Sequence, residues 1–164
     1  MKKNYIVYLG VFLLACNLAL FQIGCTQIES PPSIESVQNH YQEHREDIQI
    51  IINFFTASNY EHISIRNNDG TMLADLNIIS IDDKEVFSAV DSLLANGAYH
   101  HIIKNENTIY LLQWKGIRDI GCGIAYSINR VDNPQIEFET QLVPLSDDGW
   151  FYYVSDYNTW QSEQ

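Results

Sequence analysis

Residues 40 to 44 read His-Tyr-Gln-Glu-His. Two imidazoles four residues apart sit one turn apart on a helix and can converge on one cation. A zinc ion held by His40 and His44 would polarise a water, with Glu43 as the general base that takes its proton. Such a site needs a third protein ligand and an open coordination position, and no later stretch offers a recognisable third-ligand motif. His100 and His101 are adjacent in an alternating stretch, so they point to opposite faces and do not act as a pair. At about 100° per residue, His44 falls near the middle of its helix's apolar stripe, His40 on one edge, and Glu43 well round towards solvent. The expectation is therefore no metal and no catalytic set, with His44 a half-buried helix residue and His40 a surface one.

The same His-x-x-Glu-His order resembles that of the inverted zinc peptidases, which are much larger proteins with a buried motif helix. A zinc-dependent hydrolase using His40, Glu43 and His44 is thus the alternative reading. Other chemistry is sparse. The chain has no glycine-rich phosphate loop, no Gly-x-Ser-x-Gly elbow and no paired cysteine ligands. Asn67-Asn68-Asp69-Gly70 and Asp147-Asp148-Gly149 lack the alternating ligands of a calcium loop and read as turns. Cys122, in an apolar alternating run, reads as a buried inert thiol. Trp150, Phe151, Tyr152, Tyr153, Tyr157 and Trp160 crowd together near the C-terminus. Aromatics with polar tips suit binding surfaces, so Trp150, Tyr152, Tyr153, Tyr157 and Trp160 form the candidate surface.

Charge narrows the partner. The chain of 164 residues carries a formal charge of −12, and 7 basic against 21 acidic residues follow Cys25. A surface at −14 repels phosphate backbones, so nucleic acid is excluded as a partner. Only Lys2 and Lys3 are charged before Glu29, and between Tyr5 and Cys25 only Asn17 and Gln22 are strongly polar. Roughly 20 apolar residues can span a bilayer, and a basic start before an apolar run is the layout of an export signal. The two lysines stay cytoplasmic, which turns the rest of the chain outward.

Gly24-Cys25, followed by the polar stretch from Thr26 to Ser33, resembles the signal region of bacterial membrane lipoproteins. That resemblance covers about the first 25 residues. It implies lipidation of Cys25, although Gln22 departs from the usual aliphatic residue. Leu13-Leu14-Ala15-Cys16 makes Cys16 the alternative, at the cost of an apolar stub on the mature protein. An uncleaved membrane helix is the third possibility. If Cys25 is lipidated, Cys122 has no partner for an internal disulfide. The chain then divides into an anchor over 1–25, a tether over 26–33, and one domain over 34–164.

The elements that must position any site follow from periodicity. Ile34, Val37, Tyr41, His44, Ile48, Ile51 and Phe55 recur at spacings of three and four, which predicts one helix over 34–57. Residues 62–66 and 71–79 alternate as strands around the Asn67–Gly70 turn. Asp82 and Glu85 form a capping-box pattern for a helix that stops at Asn96-Gly97. Strands are expected over 99–104, 108–115, 120–128, 136–145 and 150–154. In the third of these, Gly121, Gly123, Ala125 and Ser127 make a small face on which a helix could lie. Short turns between strands mean antiparallel neighbours. The expected fold is α+β, a curved antiparallel sheet of about six to seven strands with two helices packed on one face. The function expected is a membrane-anchored, outward-facing acidic binding domain without a cofactor, taking a protein or small molecule. An immunity or inhibitor type of protein that meets a basic partner is a further alternative.

Overall fold

The computed structural model describes residues 30–95, 97–116, 120–130, 132–145 and 148–162. The expected anchor, with Cys16 and Cys25, and the tether before Ser30 lie outside the described residues, as do Asn96 and Asp147 of the expected turns. Four helices are described: α1 (Ile34–Glu43), α2 (Arg45–Ala57), α3 (Lys84–Ala95) and α4 (Tyr157–Ser162). Eight strands accompany them: β1 (His62–Ile65), β2 (Thr71–Ala74), β3 (Asn77–Ser80), β4 (His101–Asn105), β5 (Thr108–Lys115), β6 (Ile120–Ser127), β7 (Glu139–Pro144) and β8 (Trp150–Asp156). The strands form one open antiparallel sheet in the order β3-β2-β1-β4-β5-β6-β8-β7.

The α+β class and the antiparallel sheet are as expected; the counts differ for local reasons. The long first helix breaks at His44, whose φ of −111° and ψ of 13° leave the helical range. Its N–H bonds back to Tyr41 O, three residues earlier, and α2 restarts with Glu46 and Asp47 in its first turn. Acidic side chains there offset the exposed N–H groups and favour a new start. The expected strand 71–79 is a hairpin. Asp75 and Leu76 take φ of 43° and 69°, the pair of left-handed residues that a two-residue hairpin turn requires. The Asp75 carboxylate steadies this turn by accepting from His62 N at 2.9 Å. The N-cap of α3 is Asp83, not Asp82: its carboxylate accepts from Glu85 N at 2.9 Å and Val86 N at 3.2 Å. The short α4 begins where the Asp156 carboxylate accepts from Asn158 N and Thr159 N.

The strand register sorts the side chains into two faces. Ile63, Ile65, Ile102, Lys104, Ile109, Leu111, Cys122, Ile124, Tyr126, Trp150 and Tyr152 line the first face and are buried. Helix α1 covers β6 and β8 there, with Tyr41 and Trp150 rings 4.6 Å apart, and α3 packs on α2. The small residues Gly121, Gly123 and Ala125 point to the second face, so the helices lie against the large face of β6 and not the small one. Gly123 has a different purpose. A side chain there would strike Leu111 O and Gln113 N, where β5 bulges between Leu112 and Trp114. A bulge brings the two backbones together, and only glycine fits.

Among the described residues, Lys104 is the one buried cation of the first face. Its ammonium donates to Tyr60 O at 2.6 Å, Phe55 O at 3.0 Å and Ser58 Oγ at 3.2 Å. The two carbonyls lie at and beyond the C-terminal end of α2, where a helix carries partial negative charge. Burial lowers the lysine below its ordinary value, while Asp75 and Glu61 pull the other way. The chain enters the fold at Pro32, whose carbonyl accepts from Tyr152 Oη at 3.1 Å.

Candidate functional site

Among the described residues, two regions bring functional groups together: the corner between α1 and α2, and the second face of the sheet.

At the corner, His40, Glu43 and His44 place one ligand atom each within 4.8 Å of one another. The imidazole centroids of His40 and His44 are 4.7 Å apart, nearly edge to face. His40 is less of a surface residue than its helical position suggests; its side chain keeps 23% of its exposure against 73% for Glu43. The reason is Ala98, whose carbonyl lies 3.0 Å from His40 Nε2. A carbonyl only accepts, so Nε2 carries the hydrogen and the lone pair of the neutral ring sits on Nδ1. That nitrogen lies 3.9 Å from Glu43 Oε2. The buried Tyr99 ring backs the corner, 5.2 Å from His40 and 6.2 Å from His44.

On the second face, a row of side chains crosses neighbouring strands in the order Ile78, Leu73, Ser64, Ile103, Tyr110. Its outer end is exposed, with Leu73 at 43%, Ile78 at 79% and the turn residue Leu76 at 92%. Two cavities of about 300 and 320 Å³ lie along this face and share Ile103, Tyr110 and Glu137 as walls. The second is closed on its far side by Ile136, Glu137 and Phe138. The expected strand 136–145 begins only at Glu139, and the three residues before it strap across the sheet instead. Phe138, with φ of 56°, turns out of strand geometry to do so.

Tyr153 lines the second cavity and packs edge to face with Tyr110, ring centroids 5.9 Å apart. Its hydroxyl is buried with no hydrogen-bond partner. Burial pushes this phenol well above its ordinary value, and Tyr110, Cys122 and Tyr99 add to the effect. Beside it, His101 Nε2 accepts from Ser64 Oγ at 2.8 Å and from Arg66 Nε at 3.3 Å. Burial, then Arg66 and Lys115, push His101 down to about 4. A neutral histidine this weakly basic is a poor proton acceptor at pH 7. The Ser64–His101 contact joins the walls of the two cavities.

The aromatic surface expected from the C-terminal crowding divides into three parts. Trp150 and Tyr152 are buried under α1, at 5% and 3% exposure, and belong to the core. Tyr153 faces the other way, into the second face. Tyr157 and Trp160 pack on Phe138 at 4.9 and 5.2 Å and hold the end of the strap. Alternation put Trp150 and Tyr152 on a single face correctly, but nothing in the pattern said that this face meets the helix. Cys122 is buried, and burial raises its thiol to about 12, so it is unreactive. Ser64, Ile103 and Tyr110 escaped notice in the sequence because they come from three strands, and His101 was weighed only beside His100. The only local signal was the half-apolar alternation of 101–105.

No protein-family model, no curated protein and no solved structure matches this chain. Among the described residues, no helix is long and apolar enough to cross a membrane.

Proposed function

We propose that this chain is a membrane-anchored, outward-facing binding protein that holds a small apolar ligand against the second face of its sheet. The anchor rests on the uncharged run behind Lys2 and Lys3 and on the lipoprotein-like Gly24-Cys25. The binding reading rests on one observation: an apolar row, exposed at its outer end, runs into two adjoining cavities beneath a strap. Each cavity has the size of a small-molecule site, and the second has the mostly apolar and aromatic walls that such sites use, with His101, Lys115, Glu137 and Ser155 as its polar groups. The acidic exterior keeps the domain away from anionic lipid heads and holds the face open to solvent.

The test uses the full chain in lipid nanodiscs, titrated with the fluorescent apolar probe 1-anilinonaphthalene-8-sulfonate. Saturable binding is expected, weakened at least fivefold by Leu73→Glu, whose side chain is exposed and whose loss leaves the core intact. Binding that is non-saturable, or equal in wild type and variant, refutes the ligand site. The anchor is tested separately by the mass of the mature N-terminus: a lipid-sized increment that Cys25→Ser removes supports it. Loss of the increment only in Cys16→Ser assigns the alternative cysteine, and a lipid-free mature chain starting beyond Cys25 refutes the lipid anchor.

A further inference from the structure

We propose that His40, Glu43 and His44 form a binding site for one divalent transition-metal cation of the zinc type, with Glu43 as a ligand and not as a base. The three residues come from the end of α1 and from the break before α2, and their ligand atoms lie within 4.8 Å of one another. Tetrahedral zinc with bonds of about 2.0–2.1 Å needs donors about 3.4 Å apart. The set must therefore close by about 1.4 Å at most, which takes rotation of the exposed Glu43 side chain and small turns of the two imidazole rings.

Two independent features prepare the site. The first is the bond from His40 Nε2 to Ala98 O, on the segment after α3 and outside the cluster. Metal-bound histidines hold their second nitrogen in this way, which sets the tautomer and orients the ring. It leaves the Nδ1 lone pair facing the Glu43 carboxylate 3.9 Å away, two acceptors with room for a cation between them. The second is the helix break. His44 is non-helical at ψ 13°, yet its ring stays 4.7 Å from that of His40, against the wall made by Tyr99. Two imidazoles and one carboxylate suit zinc, copper or nickel, whereas calcium and magnesium take oxygen ligands. Three protein ligands leave a fourth position for water or for a group of a partner.

Zinc chloride is titrated calorimetrically into the full chain in nanodiscs, with Glu43→Gln, His44→Asn and, as a control at another histidine–carboxylate pair, His62→Asn. The expected result is one zinc per chain, at least tenfold weaker binding in Glu43→Gln and His44→Asn, and no change in His62→Asn. Millimolar magnesium or calcium does not displace the zinc. Cobalt(II) in place of zinc gives the strong visible bands of a four-coordinate site in wild type and loses them in His44→Asn. Should His44→Asn misfold, Glu43→Gln decides alone, because that side chain is mostly exposed. Sub-stoichiometric zinc in the wild type, or binding that Glu43→Gln leaves within twofold, overturns the proposal.

Discussion

His101 makes the stability of this domain depend on acidity in a way that can be isolated. Its ring is half-buried, its Nε2 accepts from Ser64 and Arg66, and its folded-state value is about 4 against about 6.5 for an ordinary histidine. The depressed value means that the unfolded chain binds the extra proton first. The contribution of the neutral ring is complete above about pH 6.5 and is lost progressively as pH falls towards 4. Between pH 7 and 4.5 the two values correspond to about 2.4 kcal/mol. The ring is not fully enclosed, so solvent screening reduces this to about 1.5 kcal/mol. The perturbation is His101→Asn, which cannot titrate and keeps a polar atom near Ser64. Urea unfolding of wild type and variant at pH 7 and pH 4.5 gives four free energies. The wild type is expected to lose about 1.5 kcal/mol more than the variant over that interval. Carboxylates held low in the fold, Asp69 by Thr71 and Asp156 by Thr159, have the same sign but cancel between the two proteins. Equal losses in wild type and variant, or a larger loss in the variant, refute the assignment of a buried neutral ring.

Three further outcomes follow from single contacts. Lys104→Met leaves the carbonyls of Phe55 and Tyr60 without their ammonium and is expected to destabilise by about 2–3 kcal/mol in urea unfolding. Gly123→Ala drives a methyl into Leu111 O and Gln113 N and should cost more than about 3 kcal/mol or prevent folding. Gly121→Ala crowds only the flexible end of Leu112 at 2.7 Å, with Ser155 Oγ and Trp114 O at ordinary contact distances of 3.4 and 3.7 Å, and should cost distinctly less, so equal costs would refute the bulge argument. Tyr153→Phe removes a buried hydroxyl that has no partner and should stabilise the ligand-free protein by about 1 kcal/mol, raising its calorimetric Tm by about 3–5 °C. A lowered Tm would mean that the hydroxyl is paired.

Where the sequence misled, the cause was a contact with a distant segment. The 34–57 stripe identified the right residues, and Val37, Tyr41, Ile48, Ile51 and Phe55 are all buried. Periodicity survives a one-residue break, so the break at His44 left no trace in the stripe. The hairpin at Asp75-Leu76 was hidden because neither residue is glycine; the His62 N–H held by Asp75 supports a conformation that local propensity disfavours. His40 looked solvent-facing on the wheel because Ala98, 58 residues away, was not on it. The histidine cluster was legible as a motif, but the tautomer that prepares it was not. The trough was not legible at all, since a cavity wall is made of strands paired across the sheet.

What the residues alone decided is what depends on neighbours along the chain: the class of most elements, the antiparallel pairing of strands joined by short turns, the net acidic charge, and the apolar run behind two lysines. What the tertiary structure alone decided is which face of the sheet the helices cover, and hence that Trp150 and Tyr152 are core while Tyr153 faces a cavity. Alternation divides a strand into two faces with period two, but the two faces stay equivalent until something packs on one of them.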